Sequence, residues 1–195
     1  MYEVLKFLHS IYPLSNELKN RLESKLKIRE LKKNEYLLKK GAVCSNVYFI
    51  VSGMLRCFWE RNGKQASSWF MKEGDVIFSV KSFYEQVPSK ESIQAMENCF
   101  LVYITYSEVH AIYKEFIEFN IHRSILTEKY YKLSDERLYS TLMQSSYEKY
   151  LYLFEHYREM ITRIPNKYIA SYLGVSNRSM HRIRYRFLTE KAHSS

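Results

Sequence analysis

The chain has 195 residues, 46% hydrophobic and 26% charged, with a formal net charge of +9, an ordinary composition for one or two globular domains. No apolar run approaches the roughly 18 residues that span a bilayer, and no N-terminal apolar leader pattern is legible, so a cytoplasmic location with no membrane attachment is expected. Three scattered cysteines, Cys44, Cys57 and Cys99, form no C-x-x-C pair and have no His at ligand spacing. That argues for buried reduced thiols, with no metal site and no cofactor.

From the N-terminus, Leu5, Leu8 and Ile11 repeat at helical spacing until Pro13 breaks the pattern. Ser15 then suits the N-cap of a second helix carrying Leu18, Leu22 and Leu26 on one stripe. From about Leu31 to Ile104 the signals change to those of strands. Gly41, Gly53, Gly63 and Gly74 fall 12, 10 and 11 residues apart. Between them lie β-rich runs at 47–51, 54–59 and 65–71, and Asn62-Gly63 is a strong hairpin signal. After Gly74-Asp75 come a strand at 76–78, a polar loop through Pro88, and strands near 93–95 and 99–104. Short strands at this spacing predict an antiparallel barrel or jelly roll. No phosphate-cradling glycine motif occurs, and no Ser-His-Asp ordering or close carboxylate pair points to an enzyme.

The helical period returns at Ser107, with a short helix to about Lys114 and a long one over 117–142. Ile117, Ile121 and Ile125 form one stripe of the long helix, and Leu126, Tyr130 and Leu133 an adjacent one. So wide an apolar face predicts packing against a second copy, a homodimer. Ser145-Ser146 break the run and cap a helix over 147–158 with Tyr150, Leu151 and Phe154 inward.

The stretch PNKYIASYLGVSNRSMHRIRYRF, residues 165–187, is the most specific in the chain. Ile169, Ala170, Leu173, Val175, Met180 and Ile183 occupy the apolar positions of a helix-turn-helix around Gly174, with Ser176 as the second helix's N-cap. Met180 and Ile183 face inward, which puts Asn177, Arg178, His181 and Arg182 on the outer side, where their donors suit base edges in a major groove. Lys167, Ser176 and Arg184 complete the predicted DNA contacts. Residues 161–195 hold seven Lys/Arg against one acid, while the preceding 160 hold 23 against 20. Two thirds of the net charge thus sits on the last 35 residues, as a phosphate-binding footprint requires. The competing reading is an effector-binding barrel that acts through a protein partner, its helix-turn-helix only a packing unit.

A glycine-spaced barrel, a long helix and a C-terminal helix-turn-helix, in that order, resemble the CRP/FNR family of bacterial transcription regulators. Gly41, YFIVSG at 48–53, Gly74-Asp75 and IPNKYIASYLGVS at 164–176 carry the likeness. It implies an α+β chain: a cyclic-nucleotide-binding-like domain over 1–116, a dimerisation helix over 117–143 and a winged-helix-like DNA-binding domain over 144–195. It also implies binding of double-stranded operator DNA by a homodimer, under an unidentified small-molecule effector. The wing is less evident, because only eight residues follow Phe187. At the ligand site the sequence departs from the family. Cyclic-AMP-binding members hold the ribose with a Gly-Glu pair, where Phe78 and Ser79 stand here. They hold the cyclic phosphate with an Arg followed by Ser or Thr, where Ser89 and Lys90 stand. An effector other than cyclic AMP, or none, is therefore expected.

Overall fold

The computed structural model describes residues 1–193; the last two positions of the expected 144–195 domain lie outside the described residues. The chain divides into two compact units, Met1–Trp59 with Phe70–Tyr131, and Glu60–Trp69 with the chain from Lys132 onward.

The first unit opens with α1 (Tyr2–Ile11) and α2 (Asn16–Glu23). Ser15 caps α2 by accepting from the Leu18 amide, as its position predicts, and Leu18 and Leu22 are fully buried. Strands β1 (Lys27–Leu31), β2 (Tyr36–Leu38), β3 (Asn46–Ser52), β4 (Leu55–Arg61), β5 (Lys64–Met71), β6 (Val76–Ile77), β7 (Glu91–Ala95) and β8 (Cys99–Thr105) follow. They form two four-stranded sheets, ordered β1-β8-β3-β6 and β2-β7-β4-β5. The jelly-roll half of the expectation holds, but the sheets do not close into a barrel. One of the changes of sheet falls between β3 and β4, where Gly53 sits at φ +96°. A Cβ there would stand 2.6 Å from the Asn98 carbonyl oxygen and 2.7 Å from Cys99 Sγ.

Alternation along the strands sorts the core. Val47, Phe49 and Val51 of β3, with Val102 and Ile104 of β8, join Leu18, Leu22 and Ile112 in a cluster under the helices. Tyr48 and Ile50 turn to the other face of the same strand. The expected polar loop before Pro88 instead contains a short helix, α3 (Val80–Glu85), with Ser82 and Phe83 buried. Six residues give too little periodicity to reveal it, and no side chain caps its start.

Helix α4 (Tyr106–Glu115) begins in a capping box between Thr105 and Glu108. Burial pushes the Glu108 carboxyl up, but hydrogen bonds from Thr105 and Lys27 outweigh it and bring the group down to about 2. Helix α5 (Phe119–Met143) is the predicted long one. Ser145 caps α6 (Ser146–His156) through a second box with Glu148. Tyr150 is buried as expected; Leu153 is its buried companion, while Leu151 and Phe154 are half-buried. Helix α6 stops at His156, short of the expected 158, and a separate turn, α7 (Arg158–Arg163), leads into α8 (Asn166–Leu173) and α9 (Asn177–His193).

Two substitutions separate backbone strain from crowding. Gly63 also has positive φ but open space around it, so Gly63→Ala should cost about 1–2 kcal/mol. Gly53→Ala adds the clash with Asn98 and should cost about 3 kcal/mol or more. Urea unfolding midpoints of the two variants measure the difference; equal midpoints would show that crowding at Gly53 contributes nothing.

Candidate functional site

The helix-turn-helix forms as its sequence predicts. Ile169, Ala170 and Leu173 of α8 are buried, as are Met180 and Phe187 of α9, and Ile183 is half-buried. Gly174 ends α8 in the left-handed conformation at φ +72°, where glycine carries no Cβ penalty. Ser176 Oγ accepts from the Ser179 amide at 3.1 Å and starts α9. Phe187 packs on Tyr150 and Phe154 of α6, with ring centroids 5.5 and 4.4 Å apart, which fixes the inner side of α9.

The outer side is open. Lys167, Ser176, Asn177, Arg178, His181, Arg182 and Arg184 are all exposed. Among the described residues, the side chains of Asn177, Arg178 and His181 make no hydrogen bond or ion pair. Arg182 reaches only Ser179 Oγ, at 3.3 Å. Arg184 differs, because its guanidinium donates to Asn166 Oδ1 at 2.6 Å and braces the start of α8. Glu190, the one acid of this region, is engaged by Arg186 at 2.7 Å and by the Tyr147 hydroxyl. Its charge is thus met within its own turn. Helix α9 runs to His193, and among the described residues from 132 onward every regular element is a helix.

Two further contacts of this second unit carried no sequence signal. The Arg137 guanidinium lies 3.6 Å from the centre of the Tyr172 ring and donates to its carbonyl at 2.5 Å, tying α5 to α8. Ser67, in the middle of β5, lies 2.6 Å, hydroxyl to hydroxyl, from Ser171 of α8.

In the first unit the candidate effector residues divide. Ser79 and Ser89 are buried, with their hydroxyls 2.9 Å apart, and Ser89 Oγ also donates to the Glu91 carbonyl. Burial pushes the nearby Glu91 carboxyl up, and a hydrogen bond from Ser79 opposes the shift. Lys90 is exposed and does not join the serines. Phe78 packs its ring 5.0 Å from Phe83 and against the helix-side core. The pair therefore presents neutral hydroxyls already in use, beside a carboxyl.

Helix α5 carries a residue that periodicity had counted only as apolar. The Tyr130 hydroxyl accepts from the Val76 amide at 2.8 Å and also bonds the Asp75 carboxyl, which accepts from the Lys72 amide. Burial raises Asp75, against Lys72 and Lys129, and burial next to Asp75 raises Tyr130 strongly. Leu126 and Leu133 share this covered side and are half-buried. Ile121, Ile125, Tyr131, Leu138, Tyr139, Leu142 and Met143 are exposed. At 100° per residue these seven fall within an arc of about 140° on the opposite side.

Comparison with known proteins agrees with this geometry. A family model described as the cyclic nucleotide-binding domain matches residues 28–116. No curated protein matches the chain by sequence. Among solved structures, a putative transcriptional regulator of the CRP/FNR family from Eubacterium rectale superposes with a TM-score of 0.73 at 16% identity, covering 93% of this chain and 88% of that one. FixK2 from Bradyrhizobium japonicum gives 0.72 at 15%, covering 85% and 86%. A CooA mutant from Carboxydothermus hydrogenoformans gives 0.71 at 16%, covering 95% and 84%. Residues 28–116 thus match the cyclic nucleotide-binding domain model, and the chain shares its fold with these solved regulators.

Proposed function

We propose that this chain is a DNA-binding transcription regulator of the CRP/FNR type, acting in the cytoplasm as a homodimer on a palindromic operator. In this reading residues 1–116 sense, 117–143 dimerise and 144–195 bind DNA. The observation that carries it is the face of α9: its inner side is buried on α6, and its outer side offers Asn177, Arg178, His181 and Arg182 unobstructed. Two such helices in a dimer fit half-sites about 34 Å apart.

Operator selection from random duplexes, followed by binding titrations, tests the reading. Arg182→Ala should cost about 1–3 kcal/mol and relax base preference at one position per half-site. Lys167→Ala should weaken binding evenly across sequences and lower the salt dependence. If Arg182→Ala keeps both affinity and preferred sequence, α9 is not the reader.

Dimerisation rests on the exposed α5 stripe. The wide apolar face read from the sequence takes in Leu126 and Leu133 as well, but these two share the side on which Tyr130 bonds within its own chain. Ile121→Glu combined with Leu142→Glu should give monomers by light scattering and lose operator affinity. An unchanged dimer would place the interface elsewhere.

The effector is proposed to be something other than cyclic AMP. A cyclic phosphate needs charge-assisted donors, and Ser79 and Ser89 offer none, while Glu91 adds a carboxyl beside them. Loss of two such bonds, each contributing about 1.5–3 kcal/mol, removes a few orders of magnitude in affinity. Titration calorimetry should show no binding in the micromolar range. A micromolar or tighter dissociation constant for cyclic AMP would refute this part alone.

A further inference from the structure

A cleft of about 400 Å3 opens in the first unit, walled by β1, β2 and β3 with the 39–46 segment. That volume lies within the range of small-molecule sites. Its floor is apolar, with Leu37 and Ile93 at the bottom. Its rim carries two cations, Arg29 and Lys39, and none of its lining residues is acidic. Neither cation has a carboxylate partner among the described residues; the Lys39 ammonium lies 5.4 Å from the centre of the Tyr36 ring. Two unneutralised charges above an apolar floor are unusual on a surface where ion pairs are available, and this chain pairs its cations elsewhere, as Lys27 does with Glu108 at 3.0 Å.

The cleft also has a buried polar group. Tyr48 is 6% exposed, and its hydroxyl accepts from Asn46 Nδ2 at 3.0 Å. With the accepting side engaged, the phenol proton is left to donate. Its ring packs on Tyr103 with centroids 5.4 Å apart, so the hydroxyl is held in place. Burial pushes the Tyr48 pKa up, and Arg29 is close enough to oppose that shift. The hydroxyl therefore stays protonated in the neutral range, a donor beside a guanidinium.

This is not the nucleotide position that the sequence marks out. Phe78, Ser79, Ser89 and Lys90 do not line the cleft. Cys44 stands between the two, lining the cleft while its Sγ accepts from the Ser79 amide at 3.4 Å. The contact gives the cleft a mechanical neighbour: a ligand that displaces Cys44 displaces the start of α3.

We propose that this cleft binds a small organic anion, a carboxylate with a compact apolar body. The Arg29 fork grips the carboxylate, Lys39 adds charge, Tyr48 donates to one oxygen, and the apolar body covers Leu37 and Ile93. A charge-assisted bond to a planar fork favours carboxylate geometry, and the apolar floor disfavours a bare inorganic ion. The proposal supplies a ligand class for the sensing domain in the reading above, yet it stands or falls without DNA.

Titration calorimetry of the full chain, with no DNA present, tests it with benzoate, phenylacetate, octanoate and inorganic phosphate. At least one carboxylate should bind with a dissociation constant below about 1 mM. Arg29→Gln should weaken that binding tenfold or more and Tyr48→Phe several-fold, while Lys90→Gln leaves it unchanged. Arg29 is exposed, so its replacement leaves the core intact, and Tyr48→Phe keeps the ring that packs on Tyr103. Circular dichroism of both variants verifies the fold. Absence of heat with all three carboxylates overturns the proposal. So does binding insensitive to Arg29→Gln, or inorganic phosphate binding as tightly as the carboxylates. Binding lost in Lys90→Gln instead would move the site to the serine pair. Loss of operator binding in the α9 variants leaves every one of these outcomes readable.

Discussion

The rotation of α5 about its own axis is set by Tyr130. A buried phenol without a partner costs about 1–3 kcal/mol, and Tyr130 avoids that only where its hydroxyl meets the Val76 amide and the Asp75 carboxyl. His122 adds a second fixed point about two turns earlier, its Nε2 donating to the Tyr12 carbonyl at 2.9 Å. Phe119 and His122 are buried and Leu126 half-buried on the same side. With that side committed, helical geometry leaves Ile121, Ile125, Leu138 and Leu142 on the other. The outward stripe is thus a consequence of two polar contacts, Tyr130 at the Gly74-Asp75 turn and His122 at Tyr12.

The same logic separates what the sequence disclosed from what it withheld. The helix-turn-helix was legible because each of its requirements is local: glycine at a left-handed turn, a serine cap, apolar residues at fixed offsets from Gly174. The strands were legible for a similar reason, since glycine spacing and alternation act over a few residues. Periodicity also revealed two apolar stripes on α5, but it says nothing about which is covered by the chain itself. That depends on Tyr130 meeting a strand more than fifty positions away. Helix α3 was hidden by its brevity, and the Ser67–Ser171 bond by its span of 104 residues. The Thr105-x-x-Glu108 capping box, by contrast, is a local signal that marks the start of α4 in the sequence itself.

At the nucleotide position the difficulty was direction. Ser79, Ser89 and Lys90 could be placed in one neighbourhood from the sequence, but not which of them points inward. Burial brings the serines together and leaves the ammonium outside, because a hydroxyl pair satisfies itself in a dry site and a lysine does not. The two units consequently differ in electrostatic character. Positive charge gathers on α9 with its one acid neutralised, whereas the serine site holds a carboxyl raised by burial.

The three buried thiols carry a practical consequence. Burial pushes Cys44 and Cys57 up and holds Cys99 at about 11, and the thiolate is the species that reacts. None of the three is placed to consume an alkylating reagent at neutral pH while the domain stays folded. The native chain is in that sense chemically silent, and a single cysteine introduced at an exposed position of α9, such as Tyr185→Cys, would be its one rapidly labelled site. In the proposed dimer, a spin label or fluorophore there would report the distance between the two copies of α9, without removing any native residue of the core.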